Sequence, residues 1–259
     1  MTKTMNARRT SLFSGGVFAT LCAFATSAQA ECKPVVFKDA RYTVCSFEAG
    51  VDDIRLFHKN QNGEVLGSFG AVARDLADRG ERLVFAMNGG MYHSDRSAVG
   101  LYIENGTQSA RLITSEGPGN FGLLPNGVFC VEKDRASVIE SRRFAATPRP
   151  CDHASQSGPM LVIKGALHPR FLVDSDSVHR RNGVGVSADG KTVVFAISDD
   201  RVNFYDFGSL FRDYLGLPDA LYFDGKVSRM FASDLGRSDV GFALGPIVGV
   251  VLPPDVPKP

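Results

Sequence analysis

From Arg41 onward, apolar residues recur at every second position or in short unbroken runs, a pattern that predicts strands. Arg41 to Phe47 alternates, Ile54 to His58 alternates again, and Glu64 to Phe69 continues the pattern past the turn residues Gln61-Asn62-Gly63. Leu83 to Met87 is continuously apolar, as expected of a strand buried on both faces. Two hairpins are marked. Tyr102-Ile103-Glu104 runs into Asn105-Gly106, a dipeptide suited to the left-handed conformations of a tight turn, and Gly183 to Ser187 joins Thr192 to Ile197 through Ala188-Asp189-Gly190. Gly127 to Val131, Met160 to Ile163, Leu221 to Phe223 and Ile247 to Leu252 add further strands. The helical period is confined to Ala71 to Arg79, ended by Gly80, and to Asp206 to Leu215. In the second of these Asp206 stands as the cap, Phe207, Leu210, Phe211, Tyr214 and Leu215 form one stripe, and Gly216 stops the helix. The sum predicts an α+β fold, a single strand-rich, mixed-sheet domain with two or three helices.

The first thirty residues break this pattern. Lys3, Arg8 and Arg9 precede an apolar stretch from Leu12 to Phe24, and Ala28-Gln29-Ala30 supplies a small-x-small cleavage signal. Residues 1–30 are therefore predicted to be a cleavable signal peptide, 31–252 the domain and 253–259 a flexible, proline-rich tail. The apolar stretch is about a dozen residues, short of the roughly 20 that span a bilayer, so no stable membrane insertion is expected after cleavage. Arg8-Arg9 ahead of Thr10-Ser11-Leu12 suits the twin-arginine route as well as Sec export, and either leads to the periplasm or to secretion.

Export changes the reading of the cysteines. Of five, Cys22 leaves with the signal. The other four allow two disulfides in three connectivities, and pairing near neighbours favours Cys32–Cys45 and Cys130–Cys151. A zinc site built from the same thiolates would call for a C-x-x-C pair, which is absent. Three of the 29 basic side chains and none of the 28 acidic ones lie in the leader, so the remaining chain carries a charge of −2. A near-neutral chain lacks the electrostatic footprint of a nucleic-acid binder.

Standard catalytic motifs are missing: there is no nucleophile elbow, P-loop, H-E-x-x-H or dinucleotide fingerprint. Chemistry would have to sit in loops at strand ends, and three stand out. Asn88-Gly89-Gly90-Met91-Tyr92 follows the apolar strand Leu83 to Met87, where paired glycines allow close backbone approach to a ligand or simply make a tight turn. Gln156-Ser157-Gly158-Pro159 leads into a strand. Asp224-Gly225-Lys226-Val227-Ser228 follows Leu221 to Phe223, so Asp224 would be a carboxylate held rigidly at the end of a buried strand, unless the loop is only a D-G turn. His58, His93, His153, His168 and His179 lack metal-ligand spacing. Asp174 with Asp176, and Asp199 with Asp200, offer calcium only two carboxylates each against the six to eight oxygens it prefers. No metal or other cofactor is called for, with calcium at one of these acidic pairs as the alternative.

The order of these loops resembles the phosphodiester glycosidase family, which includes the lysosomal uncovering enzyme, and is most similar to bacterial envelope members labelled exopolysaccharide-related. The resemblance rests on five blocks between residues 82 and 250. They are Asn88 to Tyr92, the G-L-x-I-x-x-G hairpin from Gly100 to Gly106, and Gln156 to Pro159. Arg181 with Gly185, Asp189 and Gly190 is the fourth, and Ala220-Leu221 with Asp224-Gly225 and Ser228 the last. Lys226 stands where many members have a third D-G-G residue, and Asp199-Asp200-Arg201 where many have a D-G-R-like turn. The resemblance implies cleavage of a sugar phosphodiester at the anomeric carbon, with a carbohydrate or sugar phosphate as partner. It further implies Asp224 as the catalytic carboxylate, Arg181 as the phosphate cation, and Asn88, Ser157 and Ser228 as hydrogen-bonding groups. Tyr92 would stack on a sugar face, Gly89, Gly90, Gly158 and Gly225 would admit the substrate, and Glu104 and Asp199 are the candidates for a second carboxylate. The Lys226 departure leaves a non-catalytic, glycan-binding envelope module as the alternative.

Overall fold

The computed structural model describes residues 1–2, 31–225 and 227–253. All but the first two residues of the expected signal peptide, Lys226 and all but the first residue of the expected tail lie outside these. Three antiparallel sheets make up the fold. The largest contains β1 (Glu31–Phe37), β2 (Ala40–Glu48), β10 (Met160–Ile163), β11 (Ala166–Leu167), β12 (Asn182–Val186), β13 (Thr192–Ser198) and β14 (Asp219–Asp224), in the order β1-β2-β13-β12-β14-β10-β11. A second runs β16-β15-β4-β17-β3, from β3 (Asp53–Phe57), β4 (Arg82–Asn88), β15 (Met230–Ala232), β16 (Arg237–Ser238) and β17 (Ile247–Leu252). The third runs β6-β5-β9-β7-β8, from β5 (Tyr102–Glu104), β6 (Thr107–Ala110), β7 (Gly127–Glu132), β8 (Arg135–Glu140) and β9 (His153–Ser157).

The α+β reading holds, with three helical segments: α1 (Phe69–Ala77), α2 (Ser141–Ala146) and α3 (Phe204–Ser209), the last continuing as a π-helical turn over Leu210–Tyr214. The sheets are not mixed. Every described ladder is antiparallel, because strands close in sequence pair as hairpins and the long-range neighbours also run in opposition. Two local expectations are also corrected. Glu64 to Phe69 makes no ladder beyond one bridge, Lys59 to Val65; Ser68 instead caps α1, its Oγ accepting from Ala71 N–H at 3.2 Å. The cap of α3 is Asn203, whose Oδ1 accepts from Asp206 N–H at 2.9 Å, so Asp206 lies inside the first turn. The Asn105-Gly106 hairpin forms as expected, with φ of +50° and +71° at its two corner residues.

Each sheet turns one face inward to a shared core. Phe195 of β13 sits at its centre, 5.0 Å from Phe85 of β4, 5.8 Å from Phe129 of β7 and 6.0 Å from Phe47 of β2, so rings from all three sheets meet there. The outer faces are covered by one helix each. Phe69, Val72 and Leu76 of α1 pack on β4 and β17, Phe144 of α2 packs on β7 and β9, and Phe207, Leu210 and Phe211 pack on β10, β13 and β14.

Both expected disulfides are present. Cys32–Cys45 joins residues directly opposite on β1 and β2, and Cys130–Cys151 ties β7 to the segment entering β9 across 21 residues. His153, at the head of β9, is 7% exposed, and its Nδ1 accepts from the N–H groups of Leu56 and Asn105 at 3.3 and 3.4 Å. Burial lowers its pKa from 6.5 to about 4, favouring the neutral ring those bonds require.

Two predictions arise from this frame. Replacing Cys130 and Cys151 together by serine should lower the unfolding free energy by about 3 kcal/mol, read as a lower denaturation midpoint in urea. His153 binds its proton less readily folded than unfolded, so its contribution is present above pH 6.5 and is lost as pH falls toward 4. Urea titrations at pH 7.5 and pH 4.5 should differ by up to about 3 kcal/mol on this account, and His153→Gln should flatten that difference.

Candidate active site

The ends of β4, β9 and β14 and the start of β12 meet at one edge of the core. Asn182, the first residue of β12, opposes Asp224, the last of β14, while the next pair is Gly183 with Tyr222. Phe223 is therefore an extra residue, a β-bulge that turns the end of β14. A bulge frees a backbone carbonyl from its ladder, and the Ser157 hydroxyl donates to Phe223 O at 2.9 Å. The serine of the Gln156-Ser157-Gly158-Pro159 block thus holds the bulge that aims Asp224.

Asn182 is the hub. It is fully buried, and its Oδ1 accepts from Asn88 Nδ2 at 3.0 Å and from Asp224 N–H at 3.2 Å, with the Ser228 hydroxyl also 3.2 Å away. Its Nδ2 donates to Asn88 O at 2.9 Å, so the two asparagines exchange hydrogen bonds between β4 and β12. Asn88 Oδ1 accepts from Arg229 N–H at 3.0 Å, and Ser228 Oγ donates to Asp224 O at 2.6 Å. Asn88, Asn182, Ser228 and the backbone of Asp224 form one buried network. The Asp224 carboxylate is half-buried at its edge, with Oδ1 accepting from Gly225 N–H at 2.5 Å.

The expected glycines meet protein rather than open space. A Cβ on Gly89 would lie 2.8 Å from Val248 N, and one on Gly90 2.6 Å from Ser155 Oγ, which itself donates to Gly89 O. Gly158 is pressed on Asn126 and Gly225 on the Tyr222 hydroxyl. Gln156 is equally committed. Its Oε1 accepts from Leu101 and Ile113 N–H, both at 3.0 Å, and its Nε2 donates to Ile113 O and Ser141 Oγ.

Arg181 precedes Asn182 and points to the opposite face of the strand. It is fully buried, its guanidinium 3.6 Å from the Phe204 ring centre, with Nε donating to Val202 O at 2.9 Å and Nη2 to Ser177 O at 2.7 Å. Burial lowers its pKa, and Tyr222, which separates it from the Asp224 loop, offsets part of that effect. Tyr92 is half-buried and donates to Ala243 O at 3.3 Å. Burial raises its pKa, and the charge of Asp224 adds to the rise.

The two candidates for a second carboxylate lie elsewhere. Glu104 continues β5 past the Ile103–Ala154 pair, level with His153, roughly 13 Å along β9 from Ser157. It accepts from Tyr102 OH at 2.9 Å and lines a groove of about 430 Å³ with His58, Lys59 and Ser109; burial raises its pKa. Asp199 is paired, accepting from Arg237 Nη1 at 2.9 Å and Thr43 Oγ1 at 3.0 Å. Among the described residues no three His, Cys, Asp or Glu side chains group as metal ligands, and no helix is long and apolar enough to cross a membrane.

Asn182 and Arg229 were not singled out from the sequence. The available signal for Asn182 was a carboxamide opening the apolar run Gly183 to Val186. Asn182→Ala would strand the Asn88 amide and the Asp224 N–H, each costing about 1–3 kcal/mol when buried and unpaired. The variant should lose about 3 kcal/mol or more of stability by denaturant unfolding.

A family model described as phosphodiester glycosidase matches residues 81–244, which include each loop of the site. The chain is 37% identical over 178 residues to uncharacterized protein YigE of Escherichia coli (strain K12), covering 69% of each chain. Its fold is similar to the catalytic domain of zebrafish N-acetylglucosamine-1-phosphodiester alpha-N-acetylglucosaminidase, auto-inhibited by its pro-peptide. That TM-score is 0.60 at 13% identity, over 87% of this chain and 84% of that one, a likeness of fold. With well over half its length matched, the chain belongs to the phosphodiester glycosidase family.

Proposed function

We propose that this protein hydrolyses a sugar phosphodiester at the anomeric carbon, with Asp224 as the carboxylate that meets the developing positive charge. The observation that carries this reading is the placement of Asp224: half-buried, at the end of a bulged strand, on a backbone locked by Asn182, Ser228 and Ser157. A carboxylate held this way needs no reorganisation when charge develops beside it. In the reaction the bond between the anomeric carbon and the phosphate oxygen breaks, its electron pair leaves with the phosphate monoester, and water supplies the new hydroxyl while its other proton passes to the released phosphate or to solvent. Phosphate departs as a weakly basic anion, so the acid required in ordinary glycoside hydrolysis contributes little, and one carboxylate with a phosphate-binding cation suffices.

In this scheme Asn88, Ser157 and Ser228 are positioning residues, because their polar atoms are turned inward to the network. Tyr92, half-buried at the rim, offers its ring to a sugar face. Residues 31–252 form the working domain and residues 1–30 address it outside the cytoplasm, a placement supported by the two disulfides. Glycans and phosphodiester-linked polymers of the cell envelope are the substrates available there.

The test is release of phosphate monoester from a panel of sugar-1-phosphodiesters. Asp224→Asn should reduce turnover by about 10²–10⁴-fold, the range that a positioned side chain supplies. Undiminished turnover in a folded Asp224→Asn protein would sink the assignment.

A further inference from the structure

Two arginines near Asp224 are buried without a carboxylate partner among the described residues, and they are built differently. Arg181 is enclosed, with a ring on its face and carbonyl acceptors at its edge, where it braces the segment from Ser177 to Phe204. Its Nη1 is buried with no hydrogen-bond partner among the described residues, but Phe204 and Tyr222 cover the guanidinium, their ring centres 3.6 and 5.5 Å from it.

Arg229 is 8% exposed and stands on the loop between β14 and β15, directly after Ser228. Its backbone N–H is bound by Asn88, and its Nη2 donates to Phe242 O. The titratable groups that face it are Tyr92, a neutral phenol, and Asp239, which is already committed to Arg237 at 2.9 Å and to Met230 N–H at 3.1 Å. Burial accordingly lowers the pKa of Arg229. A cation taken out of water with one carbonyl and no carboxylate bonded to it costs stability, and an arriving anion returns it.

The loop around it is shaped for this state. Successive carbonyls hold the two side chains, Phe242 O the Arg229 guanidinium and Ala243 O the Tyr92 hydroxyl. A Cβ on Gly241 would fall 2.9 Å from Arg229 Nη1, and one on Gly245 would strike the Tyr92 side chain. Arg229 and Tyr92 are thus clamped by one loop, and Tyr92 lies within electrostatic reach of Asp224.

We propose that Arg229, rather than Arg181, is the anion-binding group of this site, and that its planar fork takes the phosphate oxygens of the substrate and of the phosphate monoester product. The proposal rests on the hydrolase reading for the identity of the substrate but not for the presence of the anion site. Binding of inorganic phosphate to the purified protein, followed by calorimetry at low salt, tests it directly. Arg229→Met should weaken phosphate binding at least tenfold. Lys133→Gln, which removes one exposed positive charge elsewhere, should leave binding unchanged. Because Arg229→Met removes an uncompensated charge, its melting temperature without phosphate should equal or exceed that of the parent, whereas loss of a structural brace would lower it. Should Arg229→Met fail to fold, Arg229→Lys decides, since it keeps the charge and loses the fork; an unchanged affinity in either folded variant overturns the proposal. If phosphate binding depends on Arg229 but no sugar-1-phosphodiester is cleaved, the anion site stands and the hydrolase reading falls. If cleavage requires Asp224 while KM is the same in Arg229→Met, the hydrolase reading stands and the anion site falls.

Discussion

The exchange of hydrogen bonds between Asn88 and Asn182 holds the candidate site together. It fastens β4, in the five-stranded sheet that also holds β17, to β12 of the seven-stranded sheet. In a fully buried setting such a pair is strong when complete and costly when broken, because neither amide has water to fall back on. Apart from Ser157, which holds the bulge at Phe223, the groups that place Asp224 attach to it: the Asp224 N–H and the Ser228 hydroxyl on the Asn182 side, the Arg229 N–H on the Asn88 side. The carboxylate and the nearby cation are therefore positioned by one network.

That network is precise because the core beneath it leaves little freedom. Rings from three sheets converge on Phe195, and the inner faces interlock there before any loop is considered. Packing at interior density transmits small displacements, so the bulge at Phe223 moves with the sheet that carries it. The freed Phe223 carbonyl would be a liability at this depth, and Ser157 from the third sheet removes it. All three sheets thus contribute to the site: β4 through Asn88, β12 and β14 through Asn182 and Asp224, β9 through Ser157.

Much of the frame was legible. Alternation located β2 and β3, the apolar run Leu83 to Met87 located β4, and Asn105-Gly106 marked the turn between β5 and β6, because each signal is local and its physics acts within a few residues. Cys32–Cys45 and Cys130–Cys151 followed from nearness in the chain. The site was legible as a set of loops but not as a set of roles. One step along a strand reverses the face, so Arg181 and Asn182 look equally available in the sequence and serve opposite sides of the sheet. Glu104 and Asp199 carry suitable chemistry, yet long-range strand pairing places Glu104 beside β9 at His153, and Asp199 is tied to Arg237 and Thr43. Glu64 to Phe69 shows the same limit locally: the alternation is real, but the Ser68 cap commits its end to a helix.

The family blocks take on a physical meaning that their letters alone do not have. Gly89 and Gly90 are small because β17 and Ser155 press on them, and Gln156 is an amide because four backbone and hydroxyl groups need one. Most of the motif residues are scaffold, turned inward, and few of them present polar atoms to a substrate. Under the proposed reading, chemistry is left to the groups at the rim, Asp224 and Tyr92, and to Arg229, an arginine outside the recognised blocks. A scaffold fixed this tightly allows those rim positions to vary without moving the carboxylate. On the same reading the loop from Asp239 to Gly245 would set substrate choice, because its carbonyls hold Arg229 and Tyr92 while Val240 and Phe242 stand exposed.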